Sequence, residues 1–379
     1  MNFLTPEQQL WLDTVNRVME TEVTREYVRQ CDIDRVYPYE AYEKIARMGW
    51  LRLLIPESQG GDGGTIFDYA LMCEGLARYG FDFATAFMVS TFTAMNIVKF
   101  GSPAQREKYL QPFMAGEIRF SISISEPSAG SDAANTRTRA AADGDDWVIN
   151  GQKLWCSGAG ANNAILAMLV RTDKDARKHH GLSVILVPNT TAGVDIRRLP
   201  TLARRATGTN EIFLDGARLA RANMLGEPGE GWKIITDHLE LERIAVSAAY
   251  VGNAQQAVTD ALKYAHDRIQ FDTAIYDFQV IRHMLADMQT SVDAARLLVY
   301  RAAEMATLGL SCSKEVSMAK LFASETLQTV TRNGMQIMGG HSMLPEADME
   351  RYFREGMQST IGGGTSQIQR TIIAKAMRI

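Results

Sequence analysis

Apolar residues return every three to four positions over the first part of the chain, switch to short alternating runs, and then resume the helical period to the end. Helical spacing predicts helices over Glu40–Met48, Phe67–Ala77, Phe83–Phe100 and Gln105–Met114. Two starts carry capping chemistry: Thr5-Pro6-Glu7-Gln8 and Ser102-Pro103-Ala104-Gln105 each place a hydroxyl cap, a proline and a glutamine in order. Between the first two helices, Leu54 to Gly61 reads as a loop rich in turn residues. From Gly116 the texture is β-like, with runs at Arg119–Ser125, Trp147–Asn150, Lys153–Ser157, Ile165–Arg171, Leu182–Val187, Val194–Arg197 and Glu211–Leu214. Long helical patterns follow at Trp232–Ile269, Tyr276–Leu308 and Lys314–Met338. The pattern therefore predicts a mainly α chain: a helical domain over 1–117, a small antiparallel β-domain over 118–226 and a helical domain over 227–379. An α–β–α order argues against a parallel Rossmann sheet, and no GxGxxG follows a strand to seat a nicotinamide cofactor.

Composition narrows the function by exclusion. With 379 residues and a net charge of −4, the chain can hold several domains but shows no basic stripe for nucleic acid. The longest unbroken apolar run, Ala164 to Val170, is far below the roughly 20 residues that span a bilayer. The start, MNFLTPEQQL, lacks the basic and apolar regions of a signal peptide, so a soluble, cytoplasmic protein is expected. Cys31, Cys73, Cys156 and Cys312 are isolated from one another, His179-His180 sits in a polar loop, and no metal site is indicated.

Candidate chemistry centres on Gly231 to Gly252, an amphipathic segment with two carboxylates at its middle. Glu240 and Glu242 lie two positions apart, roughly 200° around a helix, so they face different ways. The neighbours of Glu242 at helical spacing are His238, Leu239, Ala245, Val246 and Ala249; those of Glu240 include Thr236, Asp237 and Arg243. Glu242 is thus expected on the apolar face, where desolvation raises a carboxylate's pKa and makes it a stronger base once ionised. It is either a general base or a buried structural carboxylate neutralised by Arg or His.

Five further motifs carry possible chemistry. Ile124-Ser125-Glu126-Pro127-Ser128-Ala129-Gly130-Ser131-Asp132 packs hydroxyls and free N–H groups into a tight turn that could bind a heteroaromatic ring, or is an ordinary loop. Lys153-Leu154-Trp155-Cys156-Ser157 sets an aromatic and a hydroxyl on one strand face, for stacking or for core packing. Arg268-Ile269-Gln270-Phe271, with Gln279 beyond, puts an Arg at a helix end, where it could hold a diphosphate or form a surface ion pair. The remaining two are Gln336-Ile337-Met338-Gly339-Gly340 and Gly362-Gly363-Gly364-Thr365-Ser366-Gln367-Ile368-Gln369-Arg370. In the last, three glycines run into a helix N-terminus, which makes either an anion or carbonyl site or a plain capping turn.

In order and spacing, these motifs resemble the acyl-CoA dehydrogenase family along essentially the whole chain. The likeness takes in the IPESQGG loop, EPSAGSD, WCS, LGEPGEGW, RIQF, QIMGG and the terminal GGTSQIQR. The resemblance implies the family's fold with a C-terminal four-helix bundle, non-covalent FAD and a homotetramer built from dimers. It implies that Ile124, Ser125, Trp155 and Ser157 line the flavin ring. Arg268, Phe271, Gln279, Gln336 and Gly340 would reach the FAD of a neighbouring subunit, and Thr365 and Gln367 that of their own. Ser131, also near the cofactor, and Arg243 would contact the CoA thioester arm, with Gly362 beside the substrate.

Many family members carry the catalytic glutamate just before the terminal Gly-Thr, where this chain has Gly363 after Gly362 in place of an aromatic. Another branch carries it on the central helix before an Arg, and here Glu242-Arg243 stands at that place. The resemblance thus implies α,β-desaturation of an acyl-CoA: Glu242 removes an α-proton, a β-hydride moves to flavin N5, the Gly363 N–H polarises the thioester carbonyl, and electrons leave through an electron-transferring flavoprotein. Cys31-Asp32 with Tyr37-Pro38 and the triple glycine are also similar to the crotonobetainyl-CoA reductase-like branch, which reduces an enoyl-CoA. A non-catalytic flavin-binding or assembly protein, or a desulfinase-like lyase, is the rival on the same scaffold. Replacing a bulky pair by Gly362-Gly363 predicts room for branched, cyclic or polar β-substituted acyl groups. Two further departures are Asp272, where the family usually has Gly, and Leu202, where a Gly usually precedes the position of Arg204.

Overall fold

A computed structural model describes residues 4–379. The first helices are α1 (Pro6–Val18), α2 (Arg25–Asp34), α3 (Tyr39–Arg47), α4 (Ile66–Leu76), α5 (Phe81–Phe100) and α6 (Pro103–Met114). The two expected caps form in full: Thr5 and Ser102 each accept from the backbone N–H three residues on, and Gln8 and Gln105 bond back to the cap. By length and composition α5 could cross a membrane, but 89% of its most apolar window is buried inside the protein, which marks a core helix.

Eight strands follow: β1 (Arg119–Ser123), β2 (Arg139–Asp143), β3 (Asp146–Ser157), β4 (Ala164–Arg171), β5 (Leu182–Pro188), β6 (Val194–Arg198), β7 (Thr209–Ala220) and β8 (Met224–Leu225). They form one sheet in the order β6-β7-β3-β2-β4-β5-β8, with β1 beside β4. The sheet is mainly antiparallel as expected, with parallel pairing where β1 and β2 meet β4. Trp147–Asn150 and Lys153–Ser157 are one long strand, irregular at two places against β7. The chain then runs through α7 (Gly231–Asp267), the short hairpin β9 (Ile269–Gln270) and β10 (Thr273–Ala274), α8 (Gln279–Thr307), α9 (Ser313–Met338), α10 (Met349–Ser359) and α11 (Ser366–Met377).

The described residues group into two compact units that do not follow chain order. One comprises 1–34, 65–84 and 241–379; the other comprises 35–64 and 85–240. In the first unit α7 and α4 approach so closely that a Cβ on Gly252 would lie 1.9 Å from the Glu74 carbonyl oxygen. In the second, Ile149, Leu166, Met168, Val170, Ile185, Val187 and Ile212 form the dry core of the sheet.

A buried ionic knot ties the helices of the first unit. Asp348, fully buried at the start of α10, accepts from Arg29 (2.8 Å) and Arg351 (2.6 Å), and also pairs with Arg25, which bridges to Asp260 on α7. Burial alone would raise its carboxyl pKa, but the Arg29 hydrogen bond and the Arg351 and Arg25 charges outweigh that and lower it from 3.8 to about 2. A depressed folded-state pKa means the stabilisation is complete above pH ~4 and lost as pH falls toward ~2. Replacing Asp348 by Asn should destabilise the fold by about 3–5 kcal/mol, because three guanidinium groups keep their burial and lose the charge they faced. Denaturant unfolding across pH should show that deficit constant above pH ~4 and closing below it; a deficit independent of pH would contradict this account.

Candidate active site

In the first unit, α7 turns Ile244, Ala245, Ala248 and Ala249 inward with no exposed surface, and Val246 is buried beside them. Glu242 lies at the edge of this apolar face. The expected contrast between the two carboxylates is not found: Glu240 and Glu242 are both half-buried. A carboxylate at the rim of a helix stripe keeps part of its solvent shell, which a pattern of neighbours on one helix overlooks. What singles out Glu242 is its opposite number. A Cβ added at Gly363 would meet Glu242 Oε1 at 3.5 Å, Lys320 Cε at 3.8 Å and Val246 Cγ2 at 3.9 Å. The side-chain position at 363 and the carboxylate of Glu242 therefore converge on one place.

The turn that carries Gly363 is held from behind. Gly363 and Gly364 have φ of +66° and +87°, a backbone shape that glycine adopts without a Cβ clash. Their carbonyls accept from Gln369 Nε2, each at 3.1 Å, and Gly364 also accepts from Lys320 Nζ at 2.8 Å. Lys320 donates again to the Ser359 carbonyl at 3.0 Å, at the end of α10. Thr365 caps α11 by accepting from the Ile368 N–H at 3.2 Å. Among the described residues, no hydrogen bond engages the Gly363 N–H. At Gly362 the expected open space is not free, since a Cβ there would fall 2.4 Å from Gln358 Nε2. Arg243 is 8% exposed, with Nη2 3.9 Å from a Cβ at Gly364.

In the second unit the EPSAGSD turn and β3 form one platform. The Leu154 N–H donates to the Ser125 carbonyl at 2.9 Å, and Glu126 and Ala129 close the turn by bonding to each other. Beneath it, Lys153 is fully buried and donates to the Ile124 carbonyl at 3.1 Å and to Glu126 Oε1 at 2.8 Å. Glu126 also accepts from the Arg137 and Thr138 N–H groups at 2.8 and 2.9 Å. Burial works to raise its carboxyl pKa, but the Lys153 charge and these donors hold it below the ordinary value. Trp155 is not a regular strand residue. The β3–β7 register shifts between Lys153 and Cys156, and Trp155 has φ of +63° and is 58% exposed. Ser157 is half-buried, as are Ile124 and Ser125, whereas Ser131 is exposed. An indole raised from the sheet with hydroxyls nearby offers a stacking face and hydrogen-bonding edges, so these residues suit a flavin ring.

The other expected cofactor residues lie at the surface of the first unit. Arg268, Gln279, Gln336, Gly340 and Gln367 are exposed, and Phe271 is 90% exposed. The Asp272 departure now has a place. Phe271 and Asp272 form the two-residue tip between β9 and β10 with φ of +52° and +62°, and Asp tolerates that shape better than most residues. Nothing in the structure explains Leu202.

Sequence reasoning passed over the residues that hold the site in shape, namely Lys320, Gln369, Lys153, Glu126 and Gln358. One signal was available. Val316, Ala319, Ala323 and Leu327 trace a buried stripe on α9, and Lys320 falls within it.

Known proteins are similar to this chain in sequence and fold. Profiles of the acyl-CoA dehydrogenase N-terminal, middle and C-terminal domains match residues 5–117, 121–217 and 229–378. A probable acyl-CoA dehydrogenase of Bacillus subtilis, YngJ, is 35% identical over the full length of both chains. A caffeyl-CoA reductase-Etf complex subunit, CarC, of Acetobacterium woodii is 33% identical over 94% of both chains. The solved structure of butyryl-CoA dehydrogenase from Megasphaera elsdenii has a TM-score of 0.93 at 30% identity over the whole of both chains. The chain belongs to the acyl-CoA dehydrogenase family of FAD-dependent oxidoreductases.

Proposed function

We propose that this enzyme desaturates a short acyl-CoA thioester between Cα and Cβ, with Glu242 as the general base. One observation carries the reading: the Glu242 carboxylate reaches the place where a Gly363 side chain would begin, beside an N–H that no other group engages. An α C–H is far too weak an acid for a carboxylate unless the adjoining carbonyl is polarised as charge develops on it. A carbonyl oxygen on the Gly363 N–H would set the α-carbon near Glu242, so that one turn serves both needs. Bound FAD supplies the acceptor for the hydride that leaves Cβ. Ile124, Ser125, Trp155 and Ser157 would hold its ring, Thr365 and Gln367 the rest within the subunit, and Ser131 and Arg243 would meet the CoA arm. The short-chain expectation draws on the butyryl-CoA dehydrogenase likeness.

The reverse direction is a second reading, favoured by the relative named as a caffeyl-CoA reductase subunit. Glu242 would then return a proton to Cα of an enoyl-CoA. In either direction electrons would pass through an electron-transferring flavoprotein, the partner in that relative's name. A homotetramer accounts for the exposed Arg268, Phe271, Gln279, Gln336 and Gly340, which would reach the FAD of a neighbouring subunit. The cellular setting we propose is cytoplasmic.

Anaerobic addition of butyryl-CoA should bleach the flavin absorbance rapidly, and Glu242→Gln should slow bleaching by about 10²–10⁴-fold with FAD still bound. Bleaching of that variant at near wild-type rate would remove Glu242 from the role. Phe271→Ser should shift the particle mass in analytical ultracentrifugation toward smaller species and weaken FAD retention; an unchanged tetramer with full FAD would contradict the inter-subunit placement.

A further inference from the structure

Lys320 bonds to the Gly363–Gly364 turn and lies beside the same Gly363 position as Glu242, and the mechanism above gives it no role. A lysine is rarely fully buried without a carboxylate in contact. Lys320 has no exposed surface, yet the hydrogen bonds described for its ammonium go to two backbone carbonyls, those of Ser359 and Gly364. Those bonds satisfy the donors without cancelling the charge. Its Cε lies 3.8 Å from the Gly363 side-chain position, which the Glu242 carboxylate approaches to 3.5 Å.

We propose that Lys320 is a positioning residue for proton transfer: its ammonium draws back the Gly364 carbonyl, leaving the Gly363 N–H directed at substrate, and its charge keeps Glu242 ionised. This rests on the assignment of Glu242 as base. The charged groups around Lys320 agree with it. Glu242 and Arg243 face it from α7, and Glu325 faces it from its own helix, itself ion-paired at 2.8 Å with Arg370 of α11. From α10 and the following turn it meets the Ser359 and Gly364 carbonyls. Burial lowers its pKa to about 8, with the Glu242 charge acting against that fall, so the ammonium persists at neutral pH and is coupled to the base.

The test is the pH profile of anaerobic flavin bleaching for wild type, Lys320→Met, Lys320→Arg and Glu242→Gln, each as the FAD-loaded assembly, with FAD content and thermal stability measured beside it. For Lys320→Met, the acid limb of the profile should move to higher pH by about one unit, and the plateau rate should fall by about 100-fold as the turn loosens. Lys320→Arg, which keeps the charge, should leave the acid limb in place even where its bulk lowers the plateau. A merely structural lysine would lower rates in both variants without moving either limb, and that outcome overturns the proposal. Should the Met variant fail to fold, the Arg variant decides alone: an acid limb displaced upward despite its retained charge counts against the idea. Loss of bleaching in Glu242→Gln with an unmoved Met profile sinks this inference only. Retained bleaching in Glu242→Gln sinks the assignment of the base.

Discussion

Two successive glycines in the left-handed region, Gly363 and Gly364, leave the space before the Glu242 carboxylate open. For a residue with a Cβ that backbone shape costs roughly 1–2 kcal/mol, and at Gly363 the Cβ would stand in contact with the carboxylate, 3.5 Å from Glu242 Oε1. The turn therefore combines three functions in a few atoms. It leaves room beside the Glu242 carboxylate, it points its carbonyls toward Lys320 and Gln369, and it leaves the Gly363 N–H without a hydrogen-bond partner among the described residues. A glycine cannot act as a proton acceptor, so in the function proposed above the base at this place comes from a neighbouring element, as Glu242 of α7.

Each compact unit solves the same problem, the fixing of a functional loop, with a lysine withdrawn completely from water. Lys153 donates to the Ile124 carbonyl beneath the platform of the EPSAGSD turn and β3, and Lys320 donates to the Gly364 carbonyl behind the triple-glycine turn. The two differ in charge balance. Lys153 has the Glu126 carboxylate at 2.8 Å, so the pair is close to neutral and acts as a brace. Lys320 is bonded to neutral carbonyls, and its field extends to the surrounding ionisable groups. A brace suits a platform that only has to keep its shape. A field suits a site where a proton changes hands.

Most of the architecture was legible because burial on one side imposes a period on the sequence. The caps at Thr5 and Ser102, the long helix through Glu242 and all but two strands of the sheet follow from that period and from turn chemistry. The strand β2 escaped because Arg139-Ala140-Ala141-Ala142-Asp143 carries no branched or aromatic residue; it pairs because β3 presents a matching edge. Glu242 was legible through its motif, but its surroundings were not, since the Gly363 turn that lies against it is more than a hundred residues away. Lys320, Gln369 and Lys153 were opaque for a related reason. Lys320 and Gln369 bond to backbone carbonyls, as Lys153 does beside its pairing with Glu126, and a carbonyl partner leaves no trace in residue identity.

Backbone strain adds a line of reasoning that neither burial nor motif provides. Trp155, Phe271 and Asp272 are non-glycine residues with φ between +52° and +63°, and they lie in or beside segments proposed above to meet the flavin. Strain of this kind, about 1–3 kcal/mol per residue, persists only where something holds it. For Trp155 the holder is visible: the Leu154–Ser125 hydrogen bond and the buried Lys153 below it fix the bulge. The positive φ of Phe271 follows from the two-residue hairpin tip, but its ring is 90% exposed and meets Phe278 edge-on at 6.2 Å, so contacts within the subunit do little to cover it. A strained turn that lifts an aromatic ring into solvent is stabilised when that ring is covered from outside, which is the contact a neighbouring subunit and its cofactor would make.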